Sequence, residues 1–560
     1  LRCTGQIAMR RLAPLRAAPS ALRTGFCTLV PELPDSHIHA PKAKKPHLPP
    51  TNFLLCDNTY KEKTTLELLR ASAVMSMCSI DVLVDNSDKL LRWSYKVLGK
   101  GITNQLLKWT FFGHFCGGTK ESELQPTVER LKKLGVGTIF DYAAENDVVE
   151  QPGSENQKRD SARKGVKSAR VYDYQGEEEC DVNMGMILRS IDTAAATFDH
   201  PFVAMKVTAL GRPDLLEKLT TILNTIRSLW TNMGGCPNTP MSRIEFEEAL
   251  GRLGVSLSAD QHDTLFNRLD TLQDGKLDYI EWTSYLSLES MIEHGGIFSK
   301  SKYKDTVFAK NGLLPLLDDH ESDLLANMAR RVEKVAQAAA DKRVRLLVDA
   351  EQTYVQSAID HLALYLQREH NKEFPVIFNT YQAYLKYSQQ RIINDLERSR
   401  REGFFFGGKL VRGAYLVLET NRAAEKGLEN PILPTIADTH ASYNSTMELL
   451  FDHIEQVNVM LATHNRESIE LAVQLMNEKG LDPGEGNVFF GQLLGMADNL
   501  TFPLGLNGYQ AYKYVPYGPI EEVVPYLVRR AQENKDMMNQ TKGEVSKMMG
   551  TVFRRLVGRG

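Results

Sequence analysis

From about residue 130 to residue 535 the chain alternates between two hydrophobic patterns. Short apolar, β-branched runs are each followed by longer stretches with helical spacing. The runs are VGTIFDY at 136–142, PFVAMKVT at 201–208, RVRLLVDA at 343–350, PVIFNTY at 375–381, KLVRGAY at 409–415, VNVMLAT at 457–463, NVFFGQL at 487–493 and AYKYVPY at 511–517. Continuous rather than alternating apolar runs predict strands buried on both faces, as in parallel sheets. Eight of them interleaved with helices predict an α/β fold of the (β/α)8 barrel class. A doubly wound sheet fits less well, because no G-x-G-x-x-G follows any run. GHFCGGTK at 113–120 fails the phosphate-loop spacing. No apolar run reaches the ~18 residues that span a bilayer.

A barrel places chemistry at the C-terminal ends of its strands. The polar residues ending these runs are Asp141, Lys206, Asp349, Arg412, Tyr415, Thr463, His464, Asn465, Gln492 and Tyr514. Solvated strand ends explain any one of them; the whole convergent set points to a ligand. The last strand is followed by PIEEVVPYLVRRAQEN at 519–534, with proline at a plausible helix start. Arg529 and Glu533 share one face of that helix and Arg530 adjoins them. Paired guanidiniums suit bidentate recognition of a carboxylate.

Residues 230–290 break the alternation. Within DTLQDGKLDYIE at 270–281, Asp270, Asp274, Gly275, Asp278 and Glu281 fit positions of an EF-hand loop, while Leu272 stands where an oxygen is wanted. The segment before Ser242 lacks the acids altogether. The reading is an EF-hand-like pair inserted between the second and third barrel strands, with calcium regulation and purely structural use both open. Residues 150–182 read as a long surface loop. Residues 88–116, with Trp93, Trp109, Phe111, Phe112 and Phe115, either cap the barrel or touch a membrane; the cap is preferred because aromatics more often fill cores.

Composition changes this picture at the N-terminus. The 560 residues carry 67 basic and 70 acidic side chains, net −3, with seven cysteines. Mean hydropathy is −0.31, as expected of a globular chain. The near balance gives no support for nucleic-acid binding. The scattered cysteines form no C-x-x-C pair, which suits a reducing compartment and argues against a zinc ribbon. Residues 1–31 contain five arginines and no acid, the signature of a mitochondrial transit peptide. Without them the balance is 62 − 70 = −8. The prolines of SHIHAPKAKKPHLPP at 36–50 make an extended linker rather than a metal site at His37, His39 and His47. The expected organisation is transit peptide and linker (1–50), helical arm (51–130), first barrel part (131–229), insertion (230–290), barrel remainder with the C-terminal helix (291–540) and tail (541–560).

Taken together and in order, KLVRGAY at 409–415, LATHN at 461–465, FGQLLGM at 490–496 and YVPYG with YLVRRAQEN across 514–534 resemble the proline dehydrogenase family in its mitochondrial eukaryotic form. The resemblance implies a distorted (β/α)8 barrel holding FAD without a Rossmann domain. It implies oxidation of L-proline to Δ1-pyrroline-5-carboxylate by hydride transfer to flavin N5. Electrons would pass to ubiquinone on the matrix side of the inner mitochondrial membrane, with peripheral membrane contact left open.

Residue roles follow from the matching motifs. The bacterial form reads R-L-V-K-G-A-Y-W where this chain has Lys409 to Leu416, so Lys409 would lie near N5 and Arg412 toward the cofactor phosphates. The change to Leu416 removes an aromatic. Val411, Gly413, Ala414, Gln382, Thr435, Thr463, His464, Asn465, Gln492 and Glu533 are the other implied cofactor contacts. Arg529 and Arg530, assisted by Lys206, would bind the substrate carboxylate. Asp349 matches an active-site carboxylate, Tyr415, Leu410 and Tyr514 match walls of the ring pocket, and Glu145 matches a glutamate that closes over the site. The proton acceptor is water or Asp349. A hydroxyproline-oxidising relative tends to carry Ser where Tyr514 stands, which favours proline. A calcium-sensing scaffold with an inactive barrel is the rival of another class; retention of Lys206, Asp349, Arg529, Arg530 and Glu533 counts against it.

Overall fold

The computed structural model describes residue 60 and residues 62–143, 176–198, 200–236, 239–284, 312–313, 317–536 and 538–557. The 1–31 leader, the 36–50 linker and Glu145 lie outside the described residues.

Ten strands follow in chain order: β1 Val136–Tyr142, β2 Phe202–Met205, β3 Met241–Ser242, β4 Lys276–Leu277, β5 Arg345–Val348, β6 Ile377–Gln382, β7 Phe406–Val411, β8 Val457–Ala462, β9 Val488–Leu493 and β10 Ala511–Tyr517. All but β3 and β4 form one closed parallel barrel. Each of the eight expected runs supplies one barrel strand. The barrel closes where β1 lies beside β10, from Val136 opposite Ala511 to Tyr142 opposite Tyr517. The fifth barrel strand is shifted from its expected range: β7 starts at Phe406 and ends at Val411. Gly413 then takes φ +137°, a conformation that favours glycine and turns the chain out of the sheet.

The barrel interior is filled from one end only. Phe202, Phe378, Phe489 and Tyr512, near the N-terminal ends of their strands, pack edge to face with ring centres 4.9–6.1 Å apart. The Arg345 guanidinium lies 4.9 Å from the Phe489 ring centre and seals this plug. None of the described residues fills the C-terminal half comparably, and a cavity opens there. Outside, helices cover the strands. Capping boxes open several of them, Asp318 with Glu321 and Thr435 with Asp438 among them. Helix Asp498–Leu506 packs backbone to backbone against the entry to β1; a Cβ on Gly135 would meet the Gly505 carbonyl at 2.5 Å.

The N-terminal arm and the C-terminal helices meet on one side of the barrel. Helix Thr65–Cys78 buries Leu68 and Met75 against Met548 and Val552 of helix Met538–Leu556. The expected tail from 541 is thus largely helix. The same arm helix places Val74 and Cys78 beside Val523 and Leu527 of helix Ile520–Asp536. Beneath them lies a buried charge cluster. Asp498 pairs with Lys63 of the arm and, at 2.9 Å, with Lys513 of β10. Glu544 of the last helix accepts from the Asp498 backbone N–H at 3.1 Å.

Among the described residues the insertion is three helices, Arg243–Arg252, Ala259–Leu269 and Tyr279–Ser284, tied by the antiparallel β3–β4 ribbon. Trp282 packs on Trp230 of the preceding barrel helix and donates to the Ile226 carbonyl at 2.8 Å. Its core is therefore continuous with the barrel's outer core. The carboxylates expected to ligate a metal are turned to backbone amides. Asp270 accepts from Asp274 and Gly275 N–H, Asp274 from Lys276, and Glu281 from Leu272 and Asp278. Asp278 pairs with Arg401 of a barrel helix at 2.6 Å. Among the described residues no three His, Cys, Asp or Glu side chains are arranged to hold a metal ion. Asp270, Asp274, Asp278 and Glu281 thus hold the loop through its own backbone amides, and the expected calcium role finds no support in this arrangement. With no oxygen at Leu272, the loop closes on itself.

The surface loop expected at 150–182 lies outside the described residues up to 175. From Glu177 it is helix, Glu177–Ala195.

Candidate active site

The open half of the barrel holds a cavity of about 820 Å³. Strand alternation decides which residues reach it. Lys409 and Val411 line it, whereas Leu410 between them is buried outward with Tyr443 and Met447. Leu410 is therefore no wall of this cavity. The cavity gathers Lys206, Asp349, Tyr415, Tyr514, Arg529 and Arg530 of the expected substrate set. It also gathers Gln382, Lys409, Val411, Arg412, Gly413, Ala414, Thr463, His464, Asn465, Gln492 and Glu533 of the expected cofactor set. Thr435 is the exception. It is exposed, and its hydroxyl caps helix Ile436–Asp452 by exchanging bonds with Asp438; its neighbour Ile436 reaches the cavity instead.

A polar chain crosses the cavity floor. Lys409 Nζ meets Asp349 Oδ1 at 2.5 Å, and the Tyr514 hydroxyl donates to Asp349 Oδ2 at 2.9 Å. Burial, with the Asp141 and Asp349 charges, raises the Tyr514 phenol well above its ordinary pKa, so it stays a donor. Lys206 faces the buried Asp141 carboxylate at 3.8 Å.

On one wall Arg412 is locked in place. Its Nε donates to His440 Nδ1 at 2.9 Å, Nη1 to Thr463 Oγ1 at 2.6 Å and Nη2 to Ser468 Oγ at 2.8 Å. The guanidinium lies 4.3 Å from the Tyr443 ring centre. Three of its five N–H donors are thus spent and two remain. His464 Nε2 accepts from the Leu493 N–H at 3.1 Å. Burial, aided by the Lys513, Arg530 and Arg412 charges, lowers its pKa to about 3, so the ring is neutral. Gln492 is pinned between the Thr463 carbonyl and the Thr501 hydroxyl, and Gln382 donates to the Glu351 carbonyl at 2.9 Å.

Helix Ile520–Asp536 closes the mouth. Arg530 Nη2 donates to Glu533 Oε1 at 2.6 Å and the guanidinium stacks on Tyr526 at 4.7 Å. Arg530 Nε is buried and has no acceptor among the described residues. A buried, charged donor without a partner is costly unless a ligand supplies one.

Two participants escaped the sequence reading. Glu351, two residues beyond Asp349, binds the Thr208 hydroxyl at 2.9 Å. Burial raises its carboxyl to about 7 against the pull of Thr208 and Lys206. The signal available was a second acid after β5. His440, which orients Arg412, sits mid-helix and carried no signal.

The family model described as proline dehydrogenase matches residues 124–543. Over 556 residues the chain is 37% identical to proline dehydrogenase 1, mitochondrial, of Homo sapiens, covering 92% of this chain and 91% of that protein. It is 36% identical over 540 residues to the protein of the same name from Caenorhabditis elegans, covering 89% and 87%. It is 30% identical over 501 residues to hydroxyproline dehydrogenase of Xenopus laevis, covering 89% of each. A similar solved structure is proline utilization A from Bdellovibrio bacteriovorus inactivated by N-propargylglycine. Its TM-score is 0.50 at 17% identity, over 86% of this chain and 38% of that one. At that identity the likeness is one of fold.

Proposed function

The chain belongs to the proline dehydrogenase family, oxidoreductases acting on proline, and on that footing we propose that it is an FAD-dependent L-proline dehydrogenase of mitochondria forming Δ1-pyrroline-5-carboxylate. The observation that carries this is the arginine pair Arg529 and Arg530 over the Lys409–Asp349–Tyr514 chain, with Arg530 Nε lacking an acceptor.

The residues fit a flavin. A cavity of about 820 Å³ falls within the ~300–1,000 Å³ of ligand sites. At Gly413 a Cβ would meet the Tyr384 ring at 2.5 Å, so only glycine lets the wall follow this path. Lys409, Arg412, Gln382, His464, Asn465 and Gln492 would hold the cofactor. When bound, FAD supplies the two-electron acceptor for the hydride of the proline α carbon. The chain's part is placement. Arg529 and Arg530 fix the carboxylate, and Lys206 adds positive charge deeper in the site. Tyr514 and Tyr415 wall the ring, and Asp349 holds both Lys409 and Tyr514 in position. Such positioning is worth ~7 kcal/mol or more of a barrier. The amine must lose its proton around hydride loss, and water or Asp349 accepts it. Electrons then leave to ubiquinone, and the site of work is the matrix face of the inner membrane.

Tyr514 favours proline over a 4-hydroxylated ring by its bulk. The test is anaerobic mixing of the yellow protein with substrate. L-proline should bleach the flavin, and trans-4-hydroxy-L-proline should do so much more slowly. Faster bleaching by the hydroxylated ring would assign the other activity; no bleaching by either would overturn the reading.

A further inference from the structure

The arm presents an apolar face that none of the described residues covers. Helix Ser87–Leu107 is kinked at Gly99, where φ is +77°. Before the kink Leu90, Trp93 and Val97 recur at i, i+3 and i+7; beyond it Ile102, Leu106 and Trp109 continue at four- and three-residue spacing. All six are exposed, Trp93 by 60% and Trp109 by 66%. The inner side is the opposite: Thr103 is buried, Asn104 donates to Glu521 at 3.0 Å, and Phe112 and Phe115 are buried against the helix carrying Arg529 and Arg530. The aromatic stretch therefore splits, with phenylalanines capping the barrel and tryptophans facing out.

Charge says what fits this face. From Lys89 to Lys120 the sequence holds six lysines and arginines and no acid. Lys89, Lys96, Lys100 and Lys108 are exposed beside the apolar positions. Exposed tryptophan and leucine flanked by lysine, on a helix of low overall hydropathy, match the composition of a helix lying in a bilayer interface. No described helix is long and apolar enough to cross a membrane. We propose that Ser87–Leu107 and the following turn through Trp109 form a monotopic docking surface for an anionic lipid bilayer. The tryptophans enter the headgroup region and the lysines pair with lipid phosphates. The helix rests directly on Ile520–Asp536, so docking brings the cavity mouth to the lipid surface. That last consequence, delivery of a lipid-borne electron acceptor, rests on the function proposed above; the docking itself does not.

The chain reports on this by its own fluorescence. It has four tryptophans, and Trp230 and Trp282 are buried, so a change on lipid contact comes from Trp93 and Trp109. Holoenzyme mixed with phosphatidylcholine vesicles containing one-quarter phosphatidylglycerol should co-sediment and shift its emission to the blue. Vesicles of phosphatidylcholine alone should bind at least ~10-fold more weakly, as should the Lys96→Glu/Lys100→Glu variant on the anionic vesicles. Trp93→Ser/Trp109→Ser should abolish binding while proline oxidation with a soluble dye is unchanged. Two results overturn the proposal: no binding to anionic vesicles by an enzyme that still oxidises proline, or a dimer in solution that the tryptophan variant makes monomeric, which would assign the face to a second copy. Loss of proline oxidation with vesicle binding intact would instead count against the proposed function.

Discussion

Asp349 accepts from two donors of opposite kind, an ammonium and a phenol. An anion itself, it cannot hold a substrate carboxylate, which has to be met by positive charge elsewhere in the cavity. Arg530 is the residue proposed for that meeting. One nitrogen is tied to Glu533, one face to Tyr526, and Nε is left buried without an acceptor. Arg530→Met should therefore raise the KM for proline roughly 10- to 100-fold, the worth of a hydrogen bond to a charged partner at ~1.5–3 kcal/mol. Flavin content should be unchanged; steady-state kinetics beside the absorbance ratio of the purified variant checks both. The cavity lining was legible in the sequence where a polar residue ends an apolar run, as at Lys206 and Asp349, whereas Tyr514 lies midway along β10. It was not legible where side-chain placement decides. Thr435 is a cap because Asp438 lies three residues on, and Leu410 points outward because Lys409 points in. Nothing in the sequence near His440 says that Arg412 lies beside it.

Among the elements, helix Ile520–Asp536 joins two faces of the protein. One side carries the arginine pair to the cavity, and the other receives the arm. The strands were legible because burial on both faces leaves an unbroken apolar run. Their ends were less so: β7 stops at Val411 for a backbone reason, the φ of Gly413. The insertion was legible as a break in the barrel's alternation, but not its dependence on the barrel. Trp282 reaches across to Trp230 and Ile226, so the insertion is no independent domain. Trp282→Ala should cost ~3–5 kcal/mol and keep denaturant unfolding a single transition. Two transitions, with the barrel's midpoint unmoved, would show the insertion folding alone.

At the scale of the whole molecule, the two chain-terminal regions share one buried set of charges. Against the opposing effect of burial, Lys513 and Lys63 hold Asp498 well below the usual carboxylate range. Glu544 goes the other way: burial and the Asp498 charge push its carboxyl up from 4.5 to about 6. A raised carboxyl stabilises the fold while it keeps its proton. That contribution is whole below pH 4.5 and is lost as pH rises through about 6. Glu544→Gln keeps the acceptor and never ionises. Its stability advantage over the parent should grow by about 2 kcal/mol between pH 4.5 and pH 7.5, read from denaturant midpoints at the two pH values. A gap that stays constant would remove Glu544 from the pH response.

The same cluster sets an order of assembly. A chain made from its N-terminus forms Lys63 early, yet Asp498 follows 435 residues later. Val136 likewise waits for Ala511 before the barrel can close. Until then β1 has only β2 beside it, and the arm helix has no partner for Leu68 and Met75. The arm, made before every barrel strand, docks only after the last of them. A chain stopped before Asp498 would bring Lys63 into the interior without its counter-charge. The arm helix and helix Met538–Leu556 are thus seated together: Leu68 and Met75 gain their apolar partners only once Met548 and Val552 have been made.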